Sequence, residues 1–143
     1  MNRIITVAAL FAGLWLASAG AIAQAVDPAM FERLTGRPFA TVPEGNQATD
    51  ADWKRYADLV SVALEQRRMK RVADLGTAEF AVFIQYTGGQ RPSMQIVIAE
   101  AKPYRDEKKV VMLTRVSAGT GSGFKGTTAD LIPQLAESIF VQP

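Results

Sequence analysis

The stretch from Ala78 to Tyr86 limits what this chain can fold into more than any other. Phe80, Val82, Ile84 and Tyr86 fall on one side of an extended backbone, and Ala81 and Phe83, flanked by Glu79 and Gln85, fall on the other. A period of two with apolar residues on both sides predicts a strand covered on both faces, and so a central one. Gly88, Gly89, Arg91 and Pro92 then make a turn into a second strand, Met94 to Ala99. A charged connection from Pro103 to Lys109 leads to a third, Val110 to Ser117. Adjacent strands joined this closely predict an antiparallel meander.

Helical periodicity brackets the meander. Thr49 or Asp50 can cap a helix whose stripe is Trp53, Tyr56, Ala57, Val60, Ala63 and Leu64, at spacings of three and four. The pattern predicts an amphipathic helix over about residues 50–69, closed by Arg67, Arg68, Lys70 and Arg71, whose charges suit the negative end of the helix dipole. A second stripe of Ile132, Leu135, Ala136, Ile139 and Phe140 predicts a final helix. Pro133 must then lie in its first turn, with Asp130 as N-cap. Between Val26 and Asn46, prolines and glycines leave room only for a short strand at Phe39 to Val42. The expected fold is α/β of the α+β kind. It is a two-layer sandwich in which two helices cover one face of a mostly antiparallel sheet of about four strands.

Upstream of this pattern, one basic residue, Arg3, precedes an apolar run from Ile4 to Leu16 and a small-residue stretch ending A-I-A or A-Q-A. These are the three parts of a secretory signal peptide, and the apolar run is shorter than the ~20 residues of a membrane span. Residues 1–25 are therefore expected to be a signal peptide cut after Ala23 or Ala25, and residues 26–143 a single exported domain, periplasmic and without a membrane anchor.

Composition narrows the chemistry. Among 143 residues, 16 Lys and Arg stand against 14 Asp and Glu, too even a balance for a nucleic-acid footprint. The chain has no Cys and no His. Disulfides, thiolate nucleophiles, a lipidated cysteine and imidazole catalysis are excluded with them.

What remains are weaker constellations. Gly121, Gly123 and Gly126 form a G-x-G-x-x-G between a strand and a helix, but too little chain follows to supply the next strand of a dinucleotide fold. The segment Gly119 to Gly126 reads as a flexible link, and with Lys125 it is a candidate anion- or ligand-binding loop. Arg67, Arg68, Lys70 and Arg71 are candidate partner-binding residues, against the plainer reading of a solvated helix end. Trp53 and Tyr56 lie on the helical stripe and read as core. Asp50 with Asp52, and Asp106 with Glu107, are the nearest carboxylate pairs, with good explanations as helix start and charged turn. Ser117, Ser122, Thr127 and Thr128 offer hydroxyls with Lys102 or Lys125 as conceivable bases, yet no motif joins them. No metal site and no cofactor are expected.

Read in order, three segments resemble the domain-of-unknown-function 4136 family of bacterial envelope proteins. They are PFATVPEGNQ followed by the W-x-x-Y-x-x-L-V-x-x-A-L helix from Trp53 to Leu64, the phrase ADLGTAEFAVFIQY, and RVSAGTGSGFKGTTADLIPQLAESIF. The likeness covers about residues 37–143. It implies a two-layer α/β fold in the cell envelope and carries no catalytic residues. Many members of that family resemble lipoproteins, and this chain lacks the cysteine that a lipid anchor requires.

The expected function is a non-enzymatic, exported domain that binds a protein or envelope component through a sheet edge or the glycine-rich loop. The alternatives are a small-ligand binder, with Tyr86, Tyr104 and Phe124 near a pocket between sheet and loop, and a hydrolase using Ser122 or a carboxylate pair.

Overall fold

The apolar alternation of Ala78 to Tyr86 becomes a strand at the centre of a five-stranded sheet. The computed structural model describes residues 28–119 and 126–140. Within them, α1 (Pro28–Leu34) leads into β1 (Pro38–Thr41), a short 3-10 turn, α2 (Ala51–Glu65) and β2 (Lys70–Arg71). A second 3-10 turn precedes β3 (Phe80–Thr87), β4 (Ser93–Glu100), α3 (Ala101–Glu107) and β5 (Met112–Gly119). A 3-10 turn at Thr128–Leu131 then opens α4 (Ile132–Ile139).

The strand order is β2-β1-β3-β4-β5. The expected meander is present: Phe83 pairs with Val97 and Val97 with Arg115, both antiparallel. The short strand expected at Phe39 to Val42 is present as β1, but its parallel pairing and the fifth strand, β2, differ from the expectation. β1 lies parallel to β3, and β2 parallel to β1, so α2 serves as the crossover between β1 and its two neighbours. The fold is thus a mixed α+β one with an open five-stranded sheet and four α-helices among the described residues.

Parity decides what each face meets. Phe80, Val82 and Ile84 of β3, with Met94, Ile96 and Ile98 of β4, face the stripes of α2 and α4. Leu34, Val60, Leu64, Leu135 and Ile139 close this core, each at most 2% exposed. Burial of side chains of this size contributes about 1.5–3 kcal/mol apiece. Trp53 and Tyr56 belong to the same cluster, as their place on the stripe predicted. The opposite face is not bare: Ala81, Phe83, Val97 and Ala99 pack with Val42 beneath Tyr104 and Met112. Tyr104 meets Phe83 edge-on at 4.9 Å between ring centres. It stands on α3, where the sequence suggested only a charged connection. A two-layer description with all helices on one face is corrected accordingly.

Three local readings also change. The first helix, α1, forms where none was expected, with Pro28 at its first position and Gly36 behind it at φ +77°. Asp130 does not cap the last helix: Thr127 caps the 3-10 turn before it, and Leu131 stands at the N-cap of α4 without a side-chain bond. Asp130 instead returns its carboxylate to the Thr127 N–H and hydroxyl at 2.6 and 3.0 Å, closing a capping box, and Pro133 lies in the first turn of α4.

The third change concerns the long helix, which ends at Glu65 and does not run to 69. Arg68 adopts φ 68° and its N–H donates to the Glu65 carbonyl, while the Met69 N–H reaches the Leu64 carbonyl at 3.2 Å. This is a Schellman closure, and Met69, only 3% exposed, packs in the core beside Leu64. Lys70 and Arg71 are therefore an edge strand and not the last turn of a helix.

Candidate functional site

The basic run spans the end of α2 and the edge strand β2. Arg67 donates back to the Ala63 carbonyl at 3.1 Å, and Arg68 makes the left-handed turn. Arg71 pairs with Asp58 at 2.7 Å and reaches Glu65 at 3.9 Å, whereas Arg67, Arg68 and Lys70 form no ion pair among the described residues. Gly126 is an exposed bend before the capping box, whereas Gly121, Gly123 and Lys125 lie outside the described residues, as do Ser122, Phe124, Ala23 and Ala25.

In each carboxylate pair one acid is engaged in local structure. Asp50 accepts the Asp52 N–H at 2.9 Å as the N-cap of α2, and its other oxygen accepts the Tyr86 hydroxyl. The phenol first, and then the Asp52 N–H, hold the Asp50 carboxyl below its usual pKa. Burial, reinforced by the bond to Asp50, pushes the Tyr86 phenol up. Tyr56 completes this clamp with its ring edge-on to Tyr86 at 4.8 Å, so the start of α2 is tied to the far end of β3. Asp106 pairs with Lys102 and Arg105, both at 3.8 Å. Tyr86 and Tyr104 lie on opposite faces of the sheet, so these two do not line one pocket, and Phe124 and the loop expected beside them lie outside the described residues. A cleft of about 500 Å³ does open elsewhere, lined by Pro38, Glu79, Glu100 and Lys102. Its two acids are held by Arg37 and Arg33, each at 3.4 Å. No group of three or more Asp or Glu among the described residues is arranged to hold a metal ion.

The unusual chemistry lies on the sheet face opposite α2 and α4, beyond the apolar patch under Tyr104. A polar strip crosses β3, β4 and β5 there. Gln85 donates to Glu44 at 3.5 Å, Gln95 donates to Gln85 at 3.1 Å, and Gln95 stands opposite Ser117. Beside it, Thr87 and Ser93 share a 2.6 Å hydroxyl contact. Gln95 is 0% exposed, yet its Oε1 has no donor. Diagonally across from it, Arg115 has both Nε and Nη1 closed off from solvent and without an acceptor. Desolvation pushes the Arg115 guanidinium pKa down. Each such unpaired group costs about 1–3 kcal/mol when buried, so the strip's one unmatched acceptor and two unmatched donors count against stability.

The strip ends at the sheet's long edge. β5 has eight residues, and no described strand pairs with its outer side. The opposite edge, β2, has two residues, both charged, a form that resists further pairing. Ser117 was singled out from the sequence as a hydroxyl, but Gln85, Gln95 and Arg115 were not. The signal was present in the alternation, since polar residues stand at successive inward positions of otherwise apolar strands.

Against known proteins, no family model and no curated protein matches this chain. No helix among the described residues is long and apolar enough to cross a membrane.

Proposed function

We propose that this chain is an exported, non-enzymatic binding domain of the bacterial envelope, which takes up an extended segment of a partner protein along the open edge of β5. The observation that carries the reading is that edge: eight residues of backbone with an unsatisfied polar strip beside it, set against a short, charged edge on the other side. Strand addition supplies main-chain hydrogen bonds without requiring a cavity, and alternate side chains of the added strand then meet the two sheet faces. The signal-like residues 1–25 and the resemblance to the domain-of-unknown-function 4136 family support the compartment, which is the periplasm.

The experiment combines fractionation with site-specific crosslinking. A C-terminally tagged chain should appear in the periplasmic fraction with its N-terminus at Gln24 or Val26. A photoreactive residue at Ser117 should give a discrete protein adduct, and one at the exposed Lys54 of α2 should not. A cytoplasmic protein retaining Met1 would refute the export reading. Equal adducts from both positions would refute the edge.

A further inference from the structure

We infer that the segment taken up by β5 is acidic, and that one of its carboxylates seats on Arg115. This rests on the edge-binding reading above and adds the chemistry of the partner.

The register fixes the surroundings of Arg115. It stands opposite Val97, and Val97 opposite Phe83, so the strands on its inner side offer only apolar side chains at this level. The nearest acidic group along the strip, Glu44, is already engaged by Gln85. No ion pair or hydrogen bond among the described residues reaches the Arg115 guanidinium. Its inner side is thus closed, and the remaining side is where a sixth strand would lie. A residue on that strand directly opposite Arg115 would have its Cβ about 4.5–5.5 Å away, within reach of a glutamate or aspartate side chain. Nη2 is the guanidinium nitrogen not closed off, and it is the donor a carboxylate there would meet in a charge-assisted pair, which is the strong kind.

The other face of β5 sets the alternate positions. Leu113, Val116 and Ala118 are half-buried and pack against the core under α4. Leu113 reaches that face through an irregularity in the pairing at Ile98 and Ala99. Apolar residues of an added strand would extend this row. The segment that fits therefore alternates apolar residues with acidic ones, the acidic residues on the Arg115 and Ser117 side. A basic segment would place like charge against Arg115.

The test uses three fluorescein-labelled octapeptides that alternate valine with glutamate, glutamine or lysine, titrated into the purified protein by fluorescence anisotropy. The glutamate peptide should bind about tenfold or more tighter than the glutamine peptide, as expected for a desolvated charge-assisted pair. The lysine peptide should bind weakest. In Arg115→Gln the preference for glutamate over glutamine should vanish, and in Arg115→Glu the lysine peptide should bind best. Glutamate and glutamine peptides that bind the unaltered protein equally would overturn the acidic specificity and leave the edge reading intact. Absence of binding by all three would overturn both. The comparison on the unaltered protein needs no variant to fold.

Discussion

Replacing Arg115 with methionine should make the protein more stable while weakening its hold on an acidic strand. Methionine keeps the apolar stem that packs along the sheet and removes both unmatched donors. A buried donor without an acceptor costs about 1–3 kcal/mol, so two would cost about 2–6 kcal/mol if wholly desolvated. Arg115 is only half-buried, and the substitution also gives up the hydration of Nη2, the guanidinium nitrogen not closed off. A net gain of about 1–2 kcal/mol is the resulting expectation. At a urea slope of about 2 kcal/mol per molar, the unfolding midpoint should rise by about 0.5–1 M. Equilibrium urea unfolding followed by far-ultraviolet circular dichroism reads this directly. A midpoint that stays or falls would mean that the Arg115 donors are already satisfied in the folded chain, and nothing would then be held ready for a partner.

The remaining predictions concern the frame around the site. The Asp50 carboxyl sits below its usual pKa of 3.8, so its stabilising effect is complete above that value and is lost as pH falls through the lower folded value. Tyr86→Phe removes the largest cause, so its deficit against the unaltered protein should be visible at pH 7 and shrink below pH about 4; a deficit constant down to pH about 2 would contradict this assignment. Arg68→Gly should stabilise by about 0.5–1 kcal/mol in urea unfolding, because glycine adopts the left-handed turn without a Cβ penalty, and a loss would show that the Arg68 side chain contributes more than its strain. Leu135→Ala, at a position 1% exposed, should cost about 2–5 kcal/mol, and a cost under about 1 kcal/mol would place α4 outside the cooperative core.

Much of the frame was legible because burial writes itself into periodicity. The Trp53 to Leu64 stripe, the alternation through Phe83 and the stripe through Leu135 all became the elements their spacing indicated. The parallel pairing was not legible: β1 could be read as a strand, but β2 is too short to show alternation, and both pairings depend on where α2 carries the chain. Arg68 hid a helix stop, because the usual marker of a left-handed turn is glycine and the cation beside other cations read as dipole complement. α3 was missed for a similar reason: Pro103 and four charged residues resemble a loop, while Ala101 and Tyr104, which anchor it, carry too little period to be seen. The candidate site escaped most fully. Gln85, Gln95 and Arg115 look like ordinary surface residues until the register sets them side by side, with Gln95 shut away from water.

The parallel placement of β1 has a kinetic consequence. The β3–β4 hairpin closes a short turn, and hairpins of this kind form in about 1–10 μs. β1 instead meets β3 across an intervening helix, so its pairing bears the larger loop-closure entropy and should come later. Until it docks, the outer side of β3 from Phe80 to Val82 is an unpaired strand edge with apolar side chains on both faces. Pulse labelling of backbone amides during refolding should therefore protect β4 before β1, and simultaneous protection would exclude this order. Self-association of a newly made chain would then start from the transient edge of β3, which the finished fold covers with β1, and not from the edge of β5, which no described strand covers.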